Sequence, residues 1–239
     1  MALTLGVPAT GTGKVGPTFS GNAMTGIVAR PEFTITDEQS LRHLFKPTHT
    51  LAALKSQNTL DRHAQDFIRR APFLCIGTQN RDGKADVSPR GDPAGFVRVL
   101  DDRTLAIPDR PGNNRLDSLS NILANPNVGL LFIIPGFDDT LRVNGKASLS
   151  TDPQVLQGMA VNDRLPTLAI IVKVDEVFLH CAKAFRRSRL WDPASFQNRK
   201  DMPTLLNMIL DQTSGAPKDP EEMRRIDEGL EEDYRTSMY

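Results

Sequence analysis

Between positions 73 and 136 the sequence alternates short apolar segments with turn residues. Asn80-Arg81-Asp82-Gly83 places an Asp-Gly pair between two such segments, which is a strong signal for a β-hairpin. Asp101 and Asp102 separate a second pair of segments in the same way. This spacing predicts two hairpins of an antiparallel sheet. Their strands are Phe73–Thr78 with Lys84–Ser88, and Phe96–Leu100 with Thr104–Ile107.

Further apolar segments extend the predicted sheet. Because Pro89 lacks a backbone N–H, we expect regular strand pairing to end there. Val128–Ile134 is almost entirely apolar, which is typical of a strand covered on both faces. The pattern therefore predicts a mainly β fold with α decoration, an antiparallel barrel of six to seven strands with flanking helices. The remaining strands are Val128–Ile134, Thr140–Ser150, Leu168–Val174 and, after a bend at Asp175, Glu176–Cys181.

Helical segments precede, interrupt and follow these strands. Thr36 is the expected N-cap of the first helix, and a second helix is expected from about Asn58 to Arg70. A third begins near Asn113 and stops at Asn125-Pro126, because a residue before proline disfavours the helical conformation. Beyond residue 200 the chain is helical and charged, with too few apolar positions for a core. This predicts a helix that covers a partner or a solvated appendage.

The sequence divides into three predicted regions. Residues 1–35 form an extended N-terminal arm, residues 36–193 the barrel domain with its N-terminal helices, and residues 194–239 a helical C-terminal appendage. Within the arm, Gly11-Thr12-Gly13-Lys14 resembles part of a P-loop. It does not match the motif, because Pro8 stands where the first glycine is needed and Val15 follows the lysine in place of Ser or Thr.

Composition excludes several classes of protein. Lys and Arg number 29 and Asp and Glu also number 29, so no net field attracts nucleic acid or an anionic membrane. No apolar run approaches the roughly 20 residues of a membrane span, and the N-terminus lacks the pattern of a secretory signal. We expect a cytoplasmic protein in which Cys75 and Cys181 are buried free thiols.

The residues do not form a recognisable catalytic or metal-binding set. His43, His49 and His63 have no ligand-like spacing to a cysteine or to paired carboxylates, so surface or capping roles are favoured. No G-x-S-x-G or H-E-x-x-H motif is present, and no histidine pairs with a candidate nucleophile in a known order. If the protein is an enzyme, a bound cofactor must supply the difficult chemistry.

Three arginines near strand ends predict a phosphate site. The helix start at Asn113 offers free N–H groups and the positive end of a helix dipole. Arg115 in its first turn, with Arg90 and Arg110 from neighbouring loops, would add charge-assisted hydrogen bonds. The alternative is that the arginines are ordinary surface residues or pair with nearby carboxylates, namely Asp92, Asp109 and Asp117.

A flat ring system needs an apolar slot bordered by backbone hydrogen-bonding groups. Ser88-Pro89-Arg90 and Ile107-Pro108-Asp109 are candidates for that border. The alternative is that their prolines only terminate strands. For Trp191, a role as core or interface anchor is favoured over ring stacking.

The segment from Phe73 to Ala147 resembles the flavin-nucleotide-binding relatives of pyridoxamine 5'-phosphate oxidase, which have the FMN-binding split β-barrel fold. The similarity extends to about residue 193, through His180–Phe185 and Leu190-Trp191. The motifs that carry the resemblance are Ser88–Asp92, Ile107–Arg115, Asn121–Leu123, Leu131–Gly136 and Leu141–Gly145. The resemblance implies a homodimer of barrels with FMN in two clefts at the dimer interface and a small-molecule substrate.

The resemblance also implies roles for individual residues. Asn114 and Arg115 stand where the oxidase contacts the phosphate, with Asn113 and Arg110 beside them. Ser88, Pro89, Arg90 and Gly91 lie near the strand that borders the flavin ring, and Ile107 and Asp109 lie on the neighbouring strand. Thr140 and Arg142 reach the flavin edge or the ribityl chain. Lys183 and Arg187 lie in the region that closes the site from the other subunit.

One departure from the family pattern bears on function. The oxidase ends in an Arg-x-His arrangement that holds its substrate, whereas Lys183–Ser188 contains no matching histidine. We therefore expect an FMN-dependent oxidoreductase of unassigned substrate, with no pyridoxal phosphate synthesis. The alternatives are a flavin-binding module that stores or senses FMN without turnover and, on the strength of His180, a haem-handling barrel.

Overall fold

The computed structural model describes residues 29–239, which fall into two compact units. The first unit contains residues 29–48 and helix α1 (Glu38–His43). Its N-cap is Asp37, one residue later than the expected Thr36, because an oxygen of the Asp37 carboxylate accepts a hydrogen bond from the amide of Ser40 at 2.8 Å. The Gly11–Lys14 segment and residues 1–28 of the predicted arm lie outside the described residues.

The second unit, residues 49–239, is built on one antiparallel sheet. Its seven strands confirm the predicted mainly β fold with flanking helices. The strands are β1 (Phe73–Gln79), β2 (Ala85–Gly91), β3 (Arg98–Asp101), β4 (Thr104–Pro108), β5 (Asn127–Ile133), β6 (Thr140–Ser150) and β7 (Ala169–His180). Their order across the sheet is β2-β1-β5-β6-β7-β4-β3, which leaves β2 and β3 as the edges.

Short helices flank the sheet, with a longer one near the end of the chain. The second predicted helix begins at Arg62 and not at Asn58, because Asp61 caps it by accepting a hydrogen bond from the amide of Ala64 at 2.8 Å. His49 caps another helix, which confirms a capping role for this histidine. The helices of this unit are α2 (Thr50–Leu54), α3 (Arg62–Arg70), α4 (Asp117–Ala124), α5 (Pro153–Gln157), α6 (Lys183–Ser188), α7 (Leu205–Gln212) and α8 (Pro220–Ser237).

The main core lies between one face of the sheet and helices α3 and α4. In β1, Leu74 and Ile76 are fully buried, whereas Cys75 and Gly77 on the other face are only half-buried. Strand β5 alternates in the same way, so the expectation that it is covered on both faces is wrong. The outer face of the sheet therefore carries apolar residues that no described segment covers completely.

Strand β4 is instead the strand that is covered on both faces. Leu105 and Ile107 point into the main core, and Ala106 packs on the opposite side with Leu156 of α5 and Met159. All five residues of the strand are buried. The loop that follows β4 therefore leaves from a rigid strand, and this loop lines the candidate site.

Strand β2 continues past the proline that was expected to end it. Pro89 pairs with Cys75, and the ladder runs on to Gly91 opposite Phe73. The expected end of pairing at Pro89 is therefore wrong. The strand accommodates proline because β2 is an edge strand, where the missing N–H can face away from the neighbouring strand. As a result, Arg90 is held in a regular strand and not in a loop.

The predicted strands on either side of Asp175 form one strand with a bulge. Asn144 pairs with Glu176 and Gly145 pairs with Val174, so Asp175 is the extra residue on β7. Opposite the bulge the backbones approach closely: a Cβ atom at Gly145 would lie 2.1 Å from the carbonyl oxygen of Lys173. Only glycine fits at this position of β6.

The two cysteines differ in exposure from what was expected. Cys75 is half-buried and Cys181 is exposed, so the expectation of two buried thiols is wrong, although both are free.

Helix α8 buries Met223, which gives the charged C-terminal region a contact that its sequence pattern did not predict. Over residues 29–239, no helix combines the length and the apolar character needed to cross a membrane.

Candidate cofactor site

Two adjoining cavities lie where the end of β2 meets the loop after β4. One has a volume of about 190 Å³ and extends to the start of α4, and the other has a volume of about 340 Å³ and extends to Phe96 and Pro108. Together they reach the size of a small-molecule or cofactor site. The residues that line both are Ser88, Pro89, Arg90, Arg110, Gly112 and Asn113.

The loop between β4 and α4 has an irregular backbone. Asn114 and Leu116 adopt left-handed conformations, with φ of 55° and 58°. Because these φ values are incompatible with a helix, α4 begins at Asp117 and the predicted helix start at Asn113 is wrong. Left-handed leucine is rare, and such strained residues cluster at functional sites.

This loop presents backbone donors to the first cavity. Within residues 29–239, the N–H groups of Gly112, Asn113 and Asn114 have no hydrogen-bond partner. The amide of Arg115 is satisfied by the side-chain oxygen of Asn113 at 3.1 Å. Gly112, Asn113 and Asn114 all line the first cavity, and successive free amides can form a concave site for an anion.

Arg90 lies on the wall shared by the two cavities. Its Nη1 atom donates to Oγ of Ser88 at 2.6 Å and to the carbonyl oxygen of Pro89 at 3.0 Å. Its Nε atom is buried and has no partner among the described residues. An unsatisfied buried donor costs about 1–3 kcal/mol, so an acceptor bound beside Arg90 would relieve this cost.

Arg110 is committed to a buried carboxylate. Its Nε atom lies 2.6 Å from Oδ2 of Asp92, and its Nη2 atom donates to the carbonyl oxygen of Met159 at 2.8 Å. For this arginine the carboxylate-paired alternative is confirmed. Arg110 therefore shapes the wall of the site, and its charge is already compensated.

Arg115 is also paired, but at the surface. Its Nε atom lies 2.7 Å from Oδ2 of Asp117, and 72% of the arginine side chain is exposed. This pairing raises the pKa of Arg115, first through the hydrogen bond to Asp117. Exposed ion pairs contribute little to stability, so Arg115 is free to exchange Asp117 for a bound anion.

Asp109 introduces a half-buried carboxyl group into the first cavity. Burial raises its pKa, and the nearby positive charge of Arg90 opposes that shift. The same cavity contains Asp86 and Asp117. Since Arg110 is paired with Asp92, the guanidinium groups left to face these three carboxylates are those of Arg90 and Arg115. The site is consequently polar, and its free amides distinguish it from an ordinary surface ion-pair network.

The structure brings most of the predicted site residues together. Gly91 lines the second cavity only, and Ile107 is fully buried in the core, where its side chain lines neither cavity. The predicted residues on the wall of the first cavity are Ser88, Pro89, Arg90, Asp109, Arg110, Asn113, Asn114 and Arg115.

Thr140 and Arg142 line a different cavity, of about 470 Å³, on the outer face of the sheet. Its walls include Leu131, His180 and Phe185. Arg142 places its guanidinium 5.3 Å from the centre of the Phe178 ring. Val87 lines this cavity and also the first one, so the sheet face and the loop site adjoin at β2.

Lys183 and Arg187 are exposed on α6 and line none of these cavities. The helix itself is anchored, since Arg186 pairs with Asp138 at 3.0 Å. Trp191, just after α6, donates from Nε1 to the carbonyl oxygen of Phe137 at 2.8 Å. Its ring packs at 5.9 Å from that of Phe185, which is consistent with an anchoring role.

Sequence reasoning missed the amide of Gly112, the carboxylate of Asp86 and the hydroxyl of Ser118 in the first cavity. Asp86 shares the β2 face with Ser88, so strand alternation contained the signal for it. Ser118 is buried in α4 and donates to Asp86 at 3.3 Å. The position of Ser118 depends on where α4 begins. The left-handed Asn114 and Leu116 determine that start, and the helical spacing of the sequence did not indicate it.

Solved structures of other proteins are similar to part of this chain, whereas a search of curated proteins found no match. HupZ from Group A Streptococcus has 18% identity and a TM-score of 0.41, over 50% of this chain and 92% of that one. An FMN-binding protein from Syntrophomonas wolfei has 10% identity and a TM-score of 0.40, over 60% and 97%. The haem storage protein HutZ from Vibrio cholerae has 15% identity and a TM-score of 0.37, over 51% and 93%.

A family model gives the assignment. The model described as pyridoxamine 5'-phosphate oxidase matches residues 60–181, a little more than half of the chain. The matched segment begins just before α3 and runs through all seven strands, so it contains the loop site and the outer face of the sheet. The chain therefore belongs to the pyridoxamine 5'-phosphate oxidase family.

Proposed function

We propose that this chain binds FMN and acts as an FMN-dependent oxidoreductase on a small molecule. The observation that carries the proposal is the set of unpaired amides at Gly112, Asn113 and Asn114, beside an exchangeable arginine, in a chain of this family. A phosphate monoester is the anion that such a site suits, because amides and a guanidinium together satisfy several of its oxygens.

The phosphate group of FMN would be held by the loop. The amides of Gly112, Asn113 and Asn114 would donate to its oxygens, and Arg115 would turn from Asp117 towards it. Helix α4 adds the positive end of its dipole just behind the loop. The left-handed Asn114 and Leu116 fix this backbone before the cofactor arrives, which reduces the entropy lost on binding.

The ring system would lie against β2. Ser88, Pro89 and Arg90 form a wall that adjoins both cavities. The buried Nε atom of Arg90 fits this role because it lacks an acceptor, and the carbonyl and N1 positions of a flavin are acceptors. Asp109, with its raised pKa, adds a carboxyl group close to Arg90. These residues bind and orient the ring and limit the access of water.

Bound FMN supplies the transfer of a hydride or of single electrons, which amino-acid side chains cannot perform. Among the described residues that line the two loop cavities, none is a histidine or a cysteine. The chain would thus contribute binding, orientation and electrostatics. The same composition favours, as a second candidate, a module that stores or senses FMN without turnover.

We also propose that a second copy of this chain covers the outer face of the sheet. Val87 is 70% exposed there, and Leu131 and Phe185 line the open cavity beside it. Contiguous apolar surface of this kind marks an interaction site. In such a dimer Lys183 and Arg187 would approach the cofactor from the partner, which is the role that the family resemblance gives them.

One spectroscopic experiment tests cofactor binding. The purified protein should be yellow, with flavin absorbance that is released on denaturation, and apoprotein should quench the fluorescence of added FMN at a stoichiometry of one per chain. A colourless protein that leaves FMN fluorescence unchanged would contradict the proposal. A Soret band after titration with haemin, without flavin binding, would instead favour haem at the cavity that contains His180.

A second experiment separates an enzyme from a binding module. The flavin-loaded protein is mixed with NADH or NADPH under anaerobic conditions and then exposed to oxygen in a stopped-flow instrument. Rapid reduction and reoxidation support an oxidoreductase. Flavin that stays oxidised with both reductants supports storage or sensing.

A further inference from the structure

Tyr239 reaches the wall of the candidate cofactor site from the far end of the sequence. Its hydroxyl donates to Oδ1 of Asp92 at 2.6 Å. The other oxygen of that carboxylate accepts the hydrogen bond from Nε of Arg110, also at 2.6 Å. The ring of Tyr239 lies with its centre 5.7 Å from Cζ of Arg110. One side chain beyond α8 thus contacts both members of the buried ion pair.

The ion pair joins two elements of the site. Asp92 directly follows β2, and its amide donates to the carbonyl oxygen of Pro72 at 3.1 Å. Arg110 lies in the loop after β4, two residues before Gly112, whose amide is one of the three proposed to hold the phosphate. The carboxylate is 1% exposed, so water does not replace a lost partner easily. Because Tyr239 holds one oxygen of Asp92, it fixes the direction in which the other oxygen faces Arg110.

Tyr239 is itself held in place. Arg164 donates from Nη1 to the main-chain oxygen of Tyr239. Arg164 closes a tight turn with Val161, in which Asn162 and Asp163 are left-handed. Helix α8, which leads to Tyr239, is anchored by the buried side chain of Met223. The turn at Arg164 and the anchored helix α8 therefore both hold the backbone that carries the Tyr239 hydroxyl.

We infer that Tyr239 is a positioning residue for the cofactor site, which acts through Asp92 and Arg110 to hold the loop from Asp109 to Leu116 in its binding conformation. The inference rests on the proposed function for the identity of the ligand. It extends that function by making cofactor affinity depend on the docking of α8, a segment outside the region that matches the family.

The test compares Tyr239→Phe with Tyr234→Phe. These are the two tyrosines of the chain: Tyr234 lies in α8, and Tyr239 follows it. Tyr234 lines a separate groove between α7 and α8. Three quantities are measured on each full-length variant: the Kd for FMN by fluorescence quenching, hydrogen–deuterium exchange without FMN of the two hydrogen-bonded loop amides, those of Asp109 and Arg115, and the melting temperature. Arg164→Gln is a second variant, which loosens Tyr239 without altering the hydroxyl or the loop.

We expect Tyr239→Phe to weaken FMN binding and to speed exchange in the loop by about 3- to 10-fold, the range for loss of one hydrogen bond. Arg164→Gln should act in the same direction, and Tyr234→Phe should change neither quantity. A lower melting temperature for Tyr239→Phe with unchanged Kd and unchanged loop exchange would overturn the inference, because it would show a structural role alone.

The two proposals fail in different ways. If the wild-type protein binds no FMN, the proposed function is overturned, and loop exchange in the absence of FMN still decides whether Tyr239 positions the loop. If the wild type binds FMN and Tyr239→Phe matches Tyr234→Phe in both Kd and exchange, the proposed function stands and this inference is overturned.

Discussion

The carboxylate of Asp92 and the guanidinium of Arg110 form the best-buried ion pair in residues 29–239, with Oδ2 and Nε 2.6 Å apart and 1% and 14% of the side chains exposed. The pair closes one side of the candidate cofactor site. We expect Asp92→Asn to lower the free energy of unfolding by about 3–5 kcal/mol, because it leaves the buried guanidinium without a counter-charge.

Urea denaturation measures this change, and Asp66→Asn is the matched control. Asp66 also pairs with an arginine, Arg70, at 2.9 Å, but both side chains are largely exposed. The control should lose much less stability, since solvent replaces the lost partner. Equal losses in the two variants would show that burial does not distinguish the Asp92 pair.

Gly145 should be irreplaceable for steric reasons. Gly145→Ala places a Cβ atom 2.1 Å from the carbonyl oxygen of Lys173, and that oxygen belongs to the backbone of the paired strand. Displacing the strand should cost about 1–3 kcal/mol or more. Gly229→Ala in α8 is the control: apart from its chain neighbours and the backbone of its own helix, no atom lies within 4 Å of the added Cβ, and alanine should stabilise the helix by about 0.5–1 kcal/mol. Thermal or urea unfolding of both variants checks the opposite signs.

Arg115→Ala should weaken FMN binding on the order of 10- to 100-fold, the effect of removing a charged hydrogen-bond donor. Fluorescence quenching measures the Kd, and Arg81→Ala, an exposed arginine in the hairpin turn between β1 and β2, is the control. Asp117→Asn should tighten binding, because it releases Arg115 from its present partner. An affinity that is the same in Arg115→Ala and in the control would remove Arg115 from the phosphate site.

Val87→Glu should disrupt the proposed dimer. The substitution introduces a charge at a residue that is 70% exposed on the apolar outer face of the sheet. We expect light scattering after gel filtration to give the mass of a dimer for the wild type and of a monomer for the variant. Leu100→Glu, on β3 at the opposite edge of the sheet, should remain a dimer. A monomeric wild type would contradict the proposed assembly.

Asp109 should make stability depend on pH in the acidic range. Its pKa is raised in the folded state, first by burial, so the folded protein retains a proton that the unfolded chain releases. The contribution of this group to stability therefore falls as the pH rises from the ordinary carboxyl value of 3.8 through the raised pKa. The free energy of unfolding of Asp109→Asn minus that of the wild type should therefore be larger above that pH window than below it. Urea unfolding at a series of pH values measures the difference, and a constant difference would exclude the effect.

Local signals in the sequence predicted the parts of the site that depend on local structure. Asp82-Gly83 predicted the first hairpin, and Gly83 indeed adopts a φ of 83°. The positions of three arginines near strand ends predicted a shared phosphate site, and Arg90, Arg110 and Arg115 all line the first cavity. The family resemblance added Asn114 to that wall.

The remaining features of the site depend on tertiary contacts, which local sequence patterns do not report. Leucine has no intrinsic preference for left-handed φ, so nothing in the spacing of Leu116, Leu119 and Ile122 indicated that α4 starts at Asp117. The hydrogen bond between Tyr239 and Asp92 joins residues 147 positions apart, and no periodic pattern reports such a contact. The ion pairs of Arg110 and Arg115 likewise depend on which carboxylates the fold brings within reach.

Pro89 has a consequence for how copies of the protein can meet. An edge strand normally offers a row of free N–H and C=O groups that can recruit a strand from another molecule, which is a route to fibres. Proline in the middle of β2 interrupts that row, because it has no N–H to offer. Growth of the sheet by strand addition is thereby disfavoured at this edge, which leaves the broad side of the sheet as the surface for the dimer that we propose.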